Sequence, residues 1–455
     1  MITPDKHAVI SGGGLAGSLL ALVLANRGMR VTVFEKRGDL RNLKAPAGKS
    51  INLALSERGI HALTKVDLAD QVLKGTIPMR GRMVHARDGT TSFLPYSRDE
   101  SEYIRSVSRP GLNRILLEKA GLHPNIELHF NSEVISTDPD KRVVSLNSVA
   151  ASGREVSYDL LFGADGAGSP VRSSLHSFSD IGYRQEMLRH GYKELSMPAS
   201  ADGSFVLEPE ALHIWPRGTY MLIALPNMDK TFTCTLFLPF DGEPGFDQLK
   251  EESQISAFFD SQFQDAVPLI PSLLTDFMTN PTGRLGTVRC DKWTYGDTAL
   301  ILGDAAHAIV PFFGQGMNCA FEDVSVLAEM LDEGNHQSWS DLLHEFEKER
   351  IANTNAIADM ALTNYIEMRD LVSDPAFRLR RSLALELEKR FPERFIPKYS
   401  LVSFHRVPYK QAQEIGRRQD SVLKTLCEGK QGIAEIDWGR AETLVAELGA
   451  MNWAR

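Results

Sequence analysis

Residues 8–35, AVISGGGLAGSLLALVLANRGMRVTVFE, decide the fold of the N-terminal part of the chain. Their periodicity predicts a short buried strand over 8–11, a glycine turn, an apolar helix over about 15–26 and a second strand over 30–34. Strand, helix and strand in this order form a βαβ unit with parallel strands. The sequence therefore predicts an α/β fold that begins with a Rossmann-like unit.

The glycines of the turn have the spacing GxGxxG. Gly12 permits the tight turn, Gly14 lets the backbone approach a pyrophosphate, and Gly17 lets the helix pack closely on the strand. Glu35 follows Gly17 by 18 residues, at the end of the second strand. An acidic side chain at that point can accept hydrogen bonds from an adenosine ribose. The combined context predicts a dinucleotide site.

The next two residues do not separate the possible cofactors. Lys36 and Arg37 could tolerate a 2′-phosphate, but they are equally well explained as a solvated strand end. FAD, NAD and NADP therefore remain open on spacing alone. The uncharged run 8–26 spans 19 positions, but its three consecutive glycines and the strand that follows favour a turn over a membrane span or signal peptide.

Composition narrows the class of protein. The chain has 455 residues, 43% hydrophobic and 24% charged, which is typical of a large globular protein with two or three cores. Fifty Lys and Arg against 59 Asp and Glu give a net charge of −9, which disfavours nucleic acid as a partner. The four cysteines have no CxxC spacing, so the sequence predicts no disulfide framework and no metal site, and it fits a reducing cytosol.

Two further segments point to a cofactor longer than NAD. Residues 298–323 predict a buried strand, a Gly303–Asp304 turn and a helix that opens near Gly316. Residues 158–173 predict another strand, followed by a GADG turn. A NAD dehydrogenase needs one phosphate-binding helix start, whereas a cofactor with a flavin ring needs a second contact region far along the chain.

In this order, the GxGxxG, GADG and GDAAH…P..GQGMN segments resemble the single-component, group A flavoprotein aromatic hydroxylases. Other strings resemble the kynurenine 3-monooxygenase family within that class. They include SINLALSERG (50–59), MRGRMVH (79–85), LPYSRD (94–99), HGYKEL (190–195), LHIWPRG (212–218), VPFFGQGMN (310–318) and RFIPKYS (394–400). Several of these have no role in generic FAD binding, so the resemblance is specific.

The resemblance implies bound FAD, with NADPH as a transient reductant. It places the pyrophosphate at the glycine turn, the adenosine ribose at 34–37, the ribityl chain at Asp304 and the isoalloxazine ring at 317–318. The implied FAD-binding residues are Gly12, Gly14, Ala16, Gly17, Phe34, Glu35, Lys36, Arg37, Ala54, Arg109, Val134, Asp304, Met317 and Asn318. The absence of a second GxGxxG βαβ unit in the sequence agrees with a transient visit by NADPH.

The resemblance also implies the reaction: hydroxylation of L-kynurenine to 3-hydroxykynurenine with NADPH and O2, in tryptophan degradation. The alternative is a related hydroxylase that acts on another aromatic carboxylate. Arg82, Tyr96, Asn364 and Tyr399 match the substrate-binding positions, with Arg82 and Tyr96 directed to the carboxylate. A planar guanidinium is chemically suited to this, because it can pair with a carboxylate through two hydrogen bonds.

The spacing of Arg82 and Tyr96 conflicts with that role. If Asp88–Gly89 is a two-residue hairpin turn, Arg82 pairs with Pro95, and Arg82 and Tyr96 fall on opposite faces. A bulge or a wider loop is needed to bring both side chains to one substrate.

The other candidates have plain structural interpretations. Asn364 lies among apolar residues at helical spacing and is either a satisfied core amide or a ligand contact. Tyr399 could be an ordinary buried tyrosine. His307 is expected to be a cap or structural residue, and because the aniline ring already donates electron density we predict no catalytic acid or base. Phe312 and Phe313 fit the dry cavity that oxygen transfer needs.

The predicted organisation is a Rossmann-like FAD-binding domain of the aromatic hydroxylase type, a β-sheet substrate domain and a helical C-terminal region. Their expected bounds are 1–75, 100–184 and 285–374 for the first, 76–99 and 185–284 for the second, and 375–455 for the third. No cysteine precedes Cys234, which excludes the dithiol chemistry of the disulfide reductases. Eukaryotic members of the family continue into a C-terminal membrane segment, whereas this sequence ends at Arg455 without one. We therefore expect a cytoplasmic, bacterial form without a membrane partner.

Overall fold

The computed structural model describes residues 6–42, 52–148, 153–371 and 374–449. The strands in these residues are β1 (His7–Ser11), β2 (Arg30–Phe34), β3 (Asn52–Leu55), β4 (Thr76–Met79), β5 (Gly81–His85), β6 (Thr91–Pro95), β7 (Ile104–Ser108), β8 (Ile126–His129), β9 (Ser132–Asp138), β10 (Val143–Ser148), β11 (Arg154–Ser157), β12 (Leu160–Gly163), β13 (Arg184–Met197), β14 (Ala211–Pro216), β15 (Met221–Pro226), β16 (Phe232–Pro239), β17 (Gly283–Arg289), β18 (Thr294–Tyr295) and β19 (Ala299–Ile301).

The α-helices are α1 (Leu15–Ala25), α2 (Glu57–Thr64), α3 (Ala69–Leu73), α4 (Arg109–Gly121), α5 (Pro170–Phe178), α6 (Glu252–Gln262), α7 (Leu273–Thr279), α8 (Asp304–His307), α9 (Gly316–Glu333), α10 (Trp339–Ile366), α11 (Pro375–Arg390), α12 (Lys398–Ser403), α13 (Tyr409–Cys427) and α14 (Trp438–Ala446). A π-helical turn, Glu367–Leu371, follows α10. Short 3₁₀ turns lie at Leu40–Asn42, Phe246–Gln248, Val267–Leu269, Pro311–Phe313 and Ile433–Glu435.

The predicted βαβ unit is the centre of a six-stranded sheet with the order β18-β19-β12-β1-β2-β8. Its strands are parallel except β18, which runs antiparallel to β19. Helix α1 is buried from Gly17 to Ala25, which explains why it is apolar all round and not along one stripe. Because β1, β12 and β19 are parallel, their carboxyl ends bring the glycine turn, the GADG turn and the Gly303–Asp304 turn to one edge of the sheet.

A second sheet has seven strands in the order β17-β13-β16-β15-β14-β5-β6. Alternate residues of its strands face opposite sides. One face packs with α6 and α7 around Trp215 and Leu222. The opposite face, with Ile214, Met221 and Phe237, packs on the Pro311–Phe313 turn and on residues of the C-terminal helices. The substrate-binding candidates lie at this second face.

The C-terminal region is helical, as the sequence predicts. Helix α13 packs against α10, α11, α12 and α14. Residues 450–455, the end of the expected C-terminal region, lie outside the described residues. Within the described part of the chain, no helix is both long enough and apolar enough to cross a membrane.

Candidate functional site

The three glycines of the first turn have different structural reasons to be glycine. Gly12 has a φ of +102°, a conformation that other residues rarely adopt. A Cβ atom on Gly17 would lie 2.0 Å from the Gly12 carbonyl oxygen. A Cβ atom on Gly14 would meet nothing within 4 Å. Gly14 therefore lines open space at the start of α1, where a ligand phosphate can approach.

The start of α1 has the free donors that a pyrophosphate needs. No side chain caps this helix, whose N-cap residue is Gly14. The first amides of a helix have no partner within it and attract anions. Asn113 lies beside the turn, and its Nδ2 donates to the Gly13 carbonyl oxygen over 3.3 Å. Its Oδ1 is buried and has no hydrogen-bond partner among the described residues.

Glu35 serves the turn directly. Its Oε2 accepts a hydrogen bond of 2.9 Å from Gly13 N, and its Oε1 accepts from the backbone and the side chain of Arg37. Burial works against ionisation, but the hydrogen bonds from Arg37 and Gly13 outweigh it and lower the pKa of this carboxyl below its ordinary value. The Glu35 carboxylate thus holds the phosphate loop at the point where the sequence places a ribose. Lys36 is exposed, and Phe34 is buried and stacked on His129.

The Gly303–Asp304 turn meets the first glycine turn. A Cβ atom on Gly303 would lie 3.6 Å from the Cβ of Ala16. Asp304 is exposed although the residues around it are buried, so its carboxylate faces open space. These two turns are therefore close enough to face one extended cofactor.

The side chain of Asn318 forms hydrogen bonds with the protein backbone. Its Nδ2 donates to the carbonyl oxygens of Ala54 and Gly314, and its Oδ1 accepts from Ser56 N. Both amide hydrogens are used within the protein, so any hydrogen bond that Asn318 donates to an isoalloxazine is expected from its backbone N–H. Met317, one residue earlier, is half-buried.

Two of the predicted cofactor residues lie between the two glycine turns in the sequence. Arg109 is exposed at the first position of α4. Val134 is buried on β9 within the main core. No described contact joins either residue to the glycine turns, so their roles remain predictions.

Arg82 is a buried cation, with 4% of its surface exposed. Its guanidinium carbon lies 5.6 Å from the ring centre of Tyr96 and 5.7 Å from that of Tyr399. The two tyrosine rings are stacked on each other with centroids 4.8 Å apart. Among the described residues, Arg82 forms no salt bridge with a carboxylate, and its Nε has no hydrogen-bond partner. The structure therefore brings three of the four predicted substrate residues together around an uncompensated charge.

The register of β5 and β6 resolves the conflict between Arg82 and Tyr96. Arg82 pairs with Leu94, not with Pro95, so the two-residue hairpin is wrong. The loop is wider: Ala86 N donates to the Thr90 carbonyl oxygen. This shift of one residue puts Arg82 and Tyr96 on the same face of the ribbon.

Asn364 joins the site through the Pro311–Phe313 turn. Its Nδ2 donates to the Phe312 carbonyl oxygen and approaches Met368 Sδ at 3.4 Å. Phe313, in the same turn, stacks on Tyr399 with centroids 5.4 Å apart. Asn364 thus holds the aromatic turn that lies against Tyr399, and no contact joins it directly to Arg82 among the described residues.

Comparisons with known proteins agree with this geometry. The FAD binding domain family matches residues 5–361. A protein of Myxococcus xanthus (strain DK1622) named kynurenine 3-monooxygenase is 44% identical over 437 residues, which cover 96% of this chain and 94% of the relative. A protein of the same name from Stenotrophomonas maltophilia (strain K279a) is 45% identical and covers 99% of both chains. The chain belongs to the kynurenine 3-monooxygenase family.

Solved structures show that this family member has the flavin monooxygenase fold. The tetrameric form of 2-methyl-3-hydroxypyridine-5-carboxylic acid oxygenase is similar with a TM-score of 0.67 and 22% identity, over 84% of this chain and 98% of that one. Pseudomonas aeruginosa PqsL in complex with 2-aminobenzoylacetate has a TM-score of 0.65 and 22% identity, over 80% and 97% of the two chains.

The residues of this family member fit FAD. The uncapped start of α1 supplies hydrogen-bond donors for a pyrophosphate, and the open space at Gly14 lets it approach. The unpartnered Oδ1 of Asn113 and the exposed carboxylate of Asp304 supply acceptors for the hydroxyl groups of a ribityl chain. They converge from β1, β19 and α4. No single segment of the chain supplies the site.

Sequence reasoning missed a second cation beside Arg82. Arg381, on α11, donates a hydrogen bond of 2.9 Å from Nη2 to the Pro95 carbonyl oxygen, and its Nε is buried without a partner among the described residues. Burial and the charge of Arg82 lower the pKa of Arg381 to about 10. Two cations that repel each other create a preference for an anion. Arg381 lies in the basic run 378–381, which resembles an ordinary solvated helix face, so no sequence signal distinguished it.

His307, which the sequence predicts to be a cap or structural residue, is held by contacts within the protein. Its Nε2 lies 2.5 Å from Asp323 Oδ2, and its ring stacks on Trp293. Burial alone would lower the pKa of His307, but the charge of Asp323 raises it to about 10. The imidazole is therefore a cation at neutral pH and is unsuited to act as a general base.

Proposed function

We propose that this protein is an FAD-dependent monooxygenase that hydroxylates L-kynurenine to 3-hydroxykynurenine with NADPH and O2. The observation that carries the substrate assignment is Arg82, a buried guanidinium that faces two tyrosine rings and has no carboxylate partner among the described residues. A buried charge without a partner is costly. An amino acid that brings an α-carboxylate relieves that cost on binding.

The side chains of the site bind and orient the substrate. Arg82 would pair with the substrate carboxylate, with Arg381 adding positive potential. The phenols of Tyr96 and Tyr399 offer hydrogen-bond donors beside that pair. Burial raises the pKa of Tyr399, so its phenol stays protonated and able to donate at neutral pH.

The apolar half of the site excludes water. Phe312 and Phe313 are buried, and Phe312 stacks on Tyr365 with centroids 3.9 Å apart. When bound and reduced by NADPH, FAD supplies the activation of O2. A dry cavity protects that chemistry from hydrolysis and from loss of oxidant. The aniline ring of the substrate is electron-rich, so we assign no residue as general acid or base.

Steady-state oxidation of NADPH tests the proposal. The protein purified with FAD is expected to oxidise NADPH slowly alone and much faster with L-kynurenine, with stoichiometric formation of 3-hydroxykynurenine. Anthranilate and tryptophan are the comparison ligands. A coupled product from either of them and none from L-kynurenine would favour the alternative hydroxylase, and no acceleration by L-kynurenine would refute the substrate assignment.

Glu388 is expected to make substrate binding depend on pH. Burial raises the pKa of this carboxyl to about 7, with Glu102 and Asp99 adding to the shift and Arg98 and Arg381 opposing it. As pH rises through 7, Glu388 gains a negative charge near Arg381, which weakens the attraction for a carboxylate. We expect the KM for L-kynurenine to increase roughly two- to fivefold between pH 6 and pH 8.5.

Initial rates at constant ionic strength measure this effect. Glu388→Gln keeps the shape of the side chain and removes the ionisation, so its KM is expected to stay flat over the same range. A variant that keeps the pH dependence of the wild type would assign the titration to another group.

The organisation and location follow from the same proposal. We assign 1–75, 100–184 and 285–374 to the cofactor domain, since every strand of the six-stranded sheet lies in these ranges. We assign 76–99 and 185–284 to the substrate domain, although β17 extends that sheet to Arg289. A cytoplasmic location is supported by four cysteines that are all free thiols.

A further inference from the structure

A cluster of buried charges lies between the Gly303–Asp304 turn, which we call the flavin-binding turn, and the C-terminal helices. It comprises Arg58, His307, Glu322, Asp323 and Arg350, and we refer to it as the charge cluster. Arg350 Nε donates to Asp323 Oδ1 over 2.8 Å, and its Nη1 donates to Glu322 Oε2 over 2.8 Å. Glu322 Oε1 in turn pairs with Arg58 Nη1. Arg58 and Arg350 are only 1% and 2% exposed and the Glu322 side chain is 13% exposed, so these pairs are largely shielded from solvent.

The cluster is an ion network and not a metal centre. Ligand atoms of His307, Cys319 and Asp323 lie within 4.8 Å of one another, which is compatible with a metal ion. However, the Arg350 guanidinium bonds Asp323 and approaches Cys319 Sγ at 3.6 Å. A fixed cation thus already occupies the place of a metal among these described residues.

One end of the charge cluster holds the flavin-binding turn. Asp323 Oδ2 accepts a hydrogen bond of 2.9 Å from Gly303 N as well as the bond from His307. Gly303 has a φ of +59° and directly precedes Asp304. Asp323 is completely buried, so its carboxylate serves the turn and not solvent. The direction of the Asp304 side chain therefore depends on Asp323.

The other end holds the helix that carries Tyr399. Arg58 Nε donates to the Val402 carbonyl oxygen over 2.9 Å, and Nη2 donates to that of Val407. Carbonyl groups at the end of a helix have no partner within it, so Arg58 caps α12 and ties down the link to α13. Because Tyr399 is the second residue of α12, its position against Arg82 depends on this cap.

A third contact reaches the segment before Met317. The Arg58 guanidinium lies 3.9 Å from the ring centre of Tyr409. The Tyr409 hydroxyl donates over 3.0 Å to Gln315 Oε1. Gln315 is the N-cap residue of α9, whose first turn contains Met317 and Asn318. The Arg58 guanidinium thus contacts the end of α12, which carries Tyr399. Through the Tyr409 hydroxyl it is also linked to the start of α9, which carries Met317 and Asn318.

We propose that the charge cluster is a positioning unit that holds the flavin-binding turn and the Tyr399 helix in one mutual arrangement, so that FAD and the aromatic amino acid each strengthen binding of the other. Buried ion pairs add little net stability compared with apolar packing, but they demand a defined geometry. Here that geometry joins two ligand sites contributed by segments nearly one hundred residues apart, Gly303 and Tyr399. This inference rests on the proposed function.

The coupling is measured as the ratio of FAD dissociation constants without and with L-kynurenine, from the fluorescence of flavin released on dilution of the holoenzyme. Couplings of this type are typically about 5- to 150-fold and are reciprocal. We expect L-kynurenine to tighten FAD binding in the wild type within that range. In Arg58→Met the ratio is expected to fall below about twofold, and the KM for L-kynurenine to rise more than kcat falls.

Two milder variants keep the test decisive if Arg58→Met folds poorly. Tyr409→Phe removes a single hydroxyl and is expected to lower the coupling ratio about two- to fivefold. Arg58→Lys keeps the charge and is expected to restore part of the ratio. Arg27→Met is the matched control, because Arg27 also pairs with a carboxylate, Asp332, and donates to two helix carbonyl oxygens, that of Val23 in α1 and that of Ala328 in α9, toward the C-terminal ends of these helices and away from both ligand sites. It is expected to keep the wild-type ratio.

The outcomes separate this inference from the proposed function. Arg58→Met or Tyr409→Phe with the wild-type ratio would overturn the positioning role. A wild-type protein that oxidises NADPH in response to L-kynurenine, but binds FAD equally well without it, would overturn the coupling and leave the proposed function standing. A protein whose NADPH oxidation ignores L-kynurenine would overturn both.

Discussion

Replacing Arg82 with methionine is expected to lower kcat/KM for L-kynurenine by about a thousandfold while the protein keeps its FAD. Truncating one partner of a buried charge pair costs about 2–5 kcal/mol, and each 1.4 kcal/mol is a factor of ten. Methionine fills much of the same volume, so the cost arises from the lost guanidinium and not from a cavity. Most of the effect is expected in KM, because the carboxylate is remote from the ring carbon that is hydroxylated.

Arg80→Met is the matched control for this prediction. Arg80 lies two residues earlier and also carries a cation over a tyrosine ring, that of Tyr103. Its salt bridge to Glu210 is half-exposed, and pairs of this kind contribute about 0–1 kcal/mol. Steady-state kinetics of both variants should separate by more than a hundredfold. An Arg82→Met enzyme with a KM within about fivefold of the wild type would place the substrate carboxylate elsewhere.

The cofactor half of the fold could be predicted because its signals are local. The glycine turn, the apolar helix and the flanking strands lie within 28 consecutive residues, 8–35, and the structure places β1, α1 and β2 there with nearly the predicted bounds. The chemistry of each glycine also follows from local sterics. The position of Gly14 at open space and of Gly17 against Gly12 agrees with the roles that their spacing predicts.

The register of the β5–β6 hairpin could not be predicted because two turn signals compete. Asp88–Gly89 suggests a two-residue turn. In the structure, Asp88 Oδ1 instead accepts hydrogen bonds from the backbone and hydroxyl of Thr90, and this Asx interaction belongs to a wider loop. A difference of one residue in register decides whether Arg82 and Tyr96 share a face. The residue types in the turn do not determine that register, so the sequence could not predict this part of the substrate site.

The second cation and the charge cluster depend on tertiary packing. Arg381 meets Pro95, and Arg58 meets Val402 and Val407, across separations of hundreds of residues. In sequence, Arg58 and Arg381 each lie on a helix where a solvated surface residue is the ordinary expectation for an arginine. Only the packing of the C-terminal helices on the rest of the fold buries them, and burial is what turns these charges into parts of a site.

Gly14→Leu is expected to weaken FAD binding by about a hundredfold or more while the protein stays folded. Gly14 has a φ of −74° and a ψ of −172°, which any residue adopts, and its Cβ direction is open. The added side chain therefore strains nothing in the protein and occupies the space that the pyrophosphate needs at the start of α1. The purified variant should lack the flavin absorbance and keep a cooperative thermal transition close to that of the flavin-free wild type.

Gly17→Ala is the informative comparison, because it adds only one methyl group in the same loop. That methyl would lie 2.0 Å from the Gly12 carbonyl oxygen, a backbone atom that cannot move without opening the turn. Gly17→Ala is therefore expected to lower the melting temperature of the flavin-free protein. Gly14→Leu is expected to leave that melting temperature unchanged. If Gly14→Leu binds FAD as tightly as the wild type, the pyrophosphate does not approach this turn, and the cofactor assignment of Gly12, Gly14 and Gly17 is wrong.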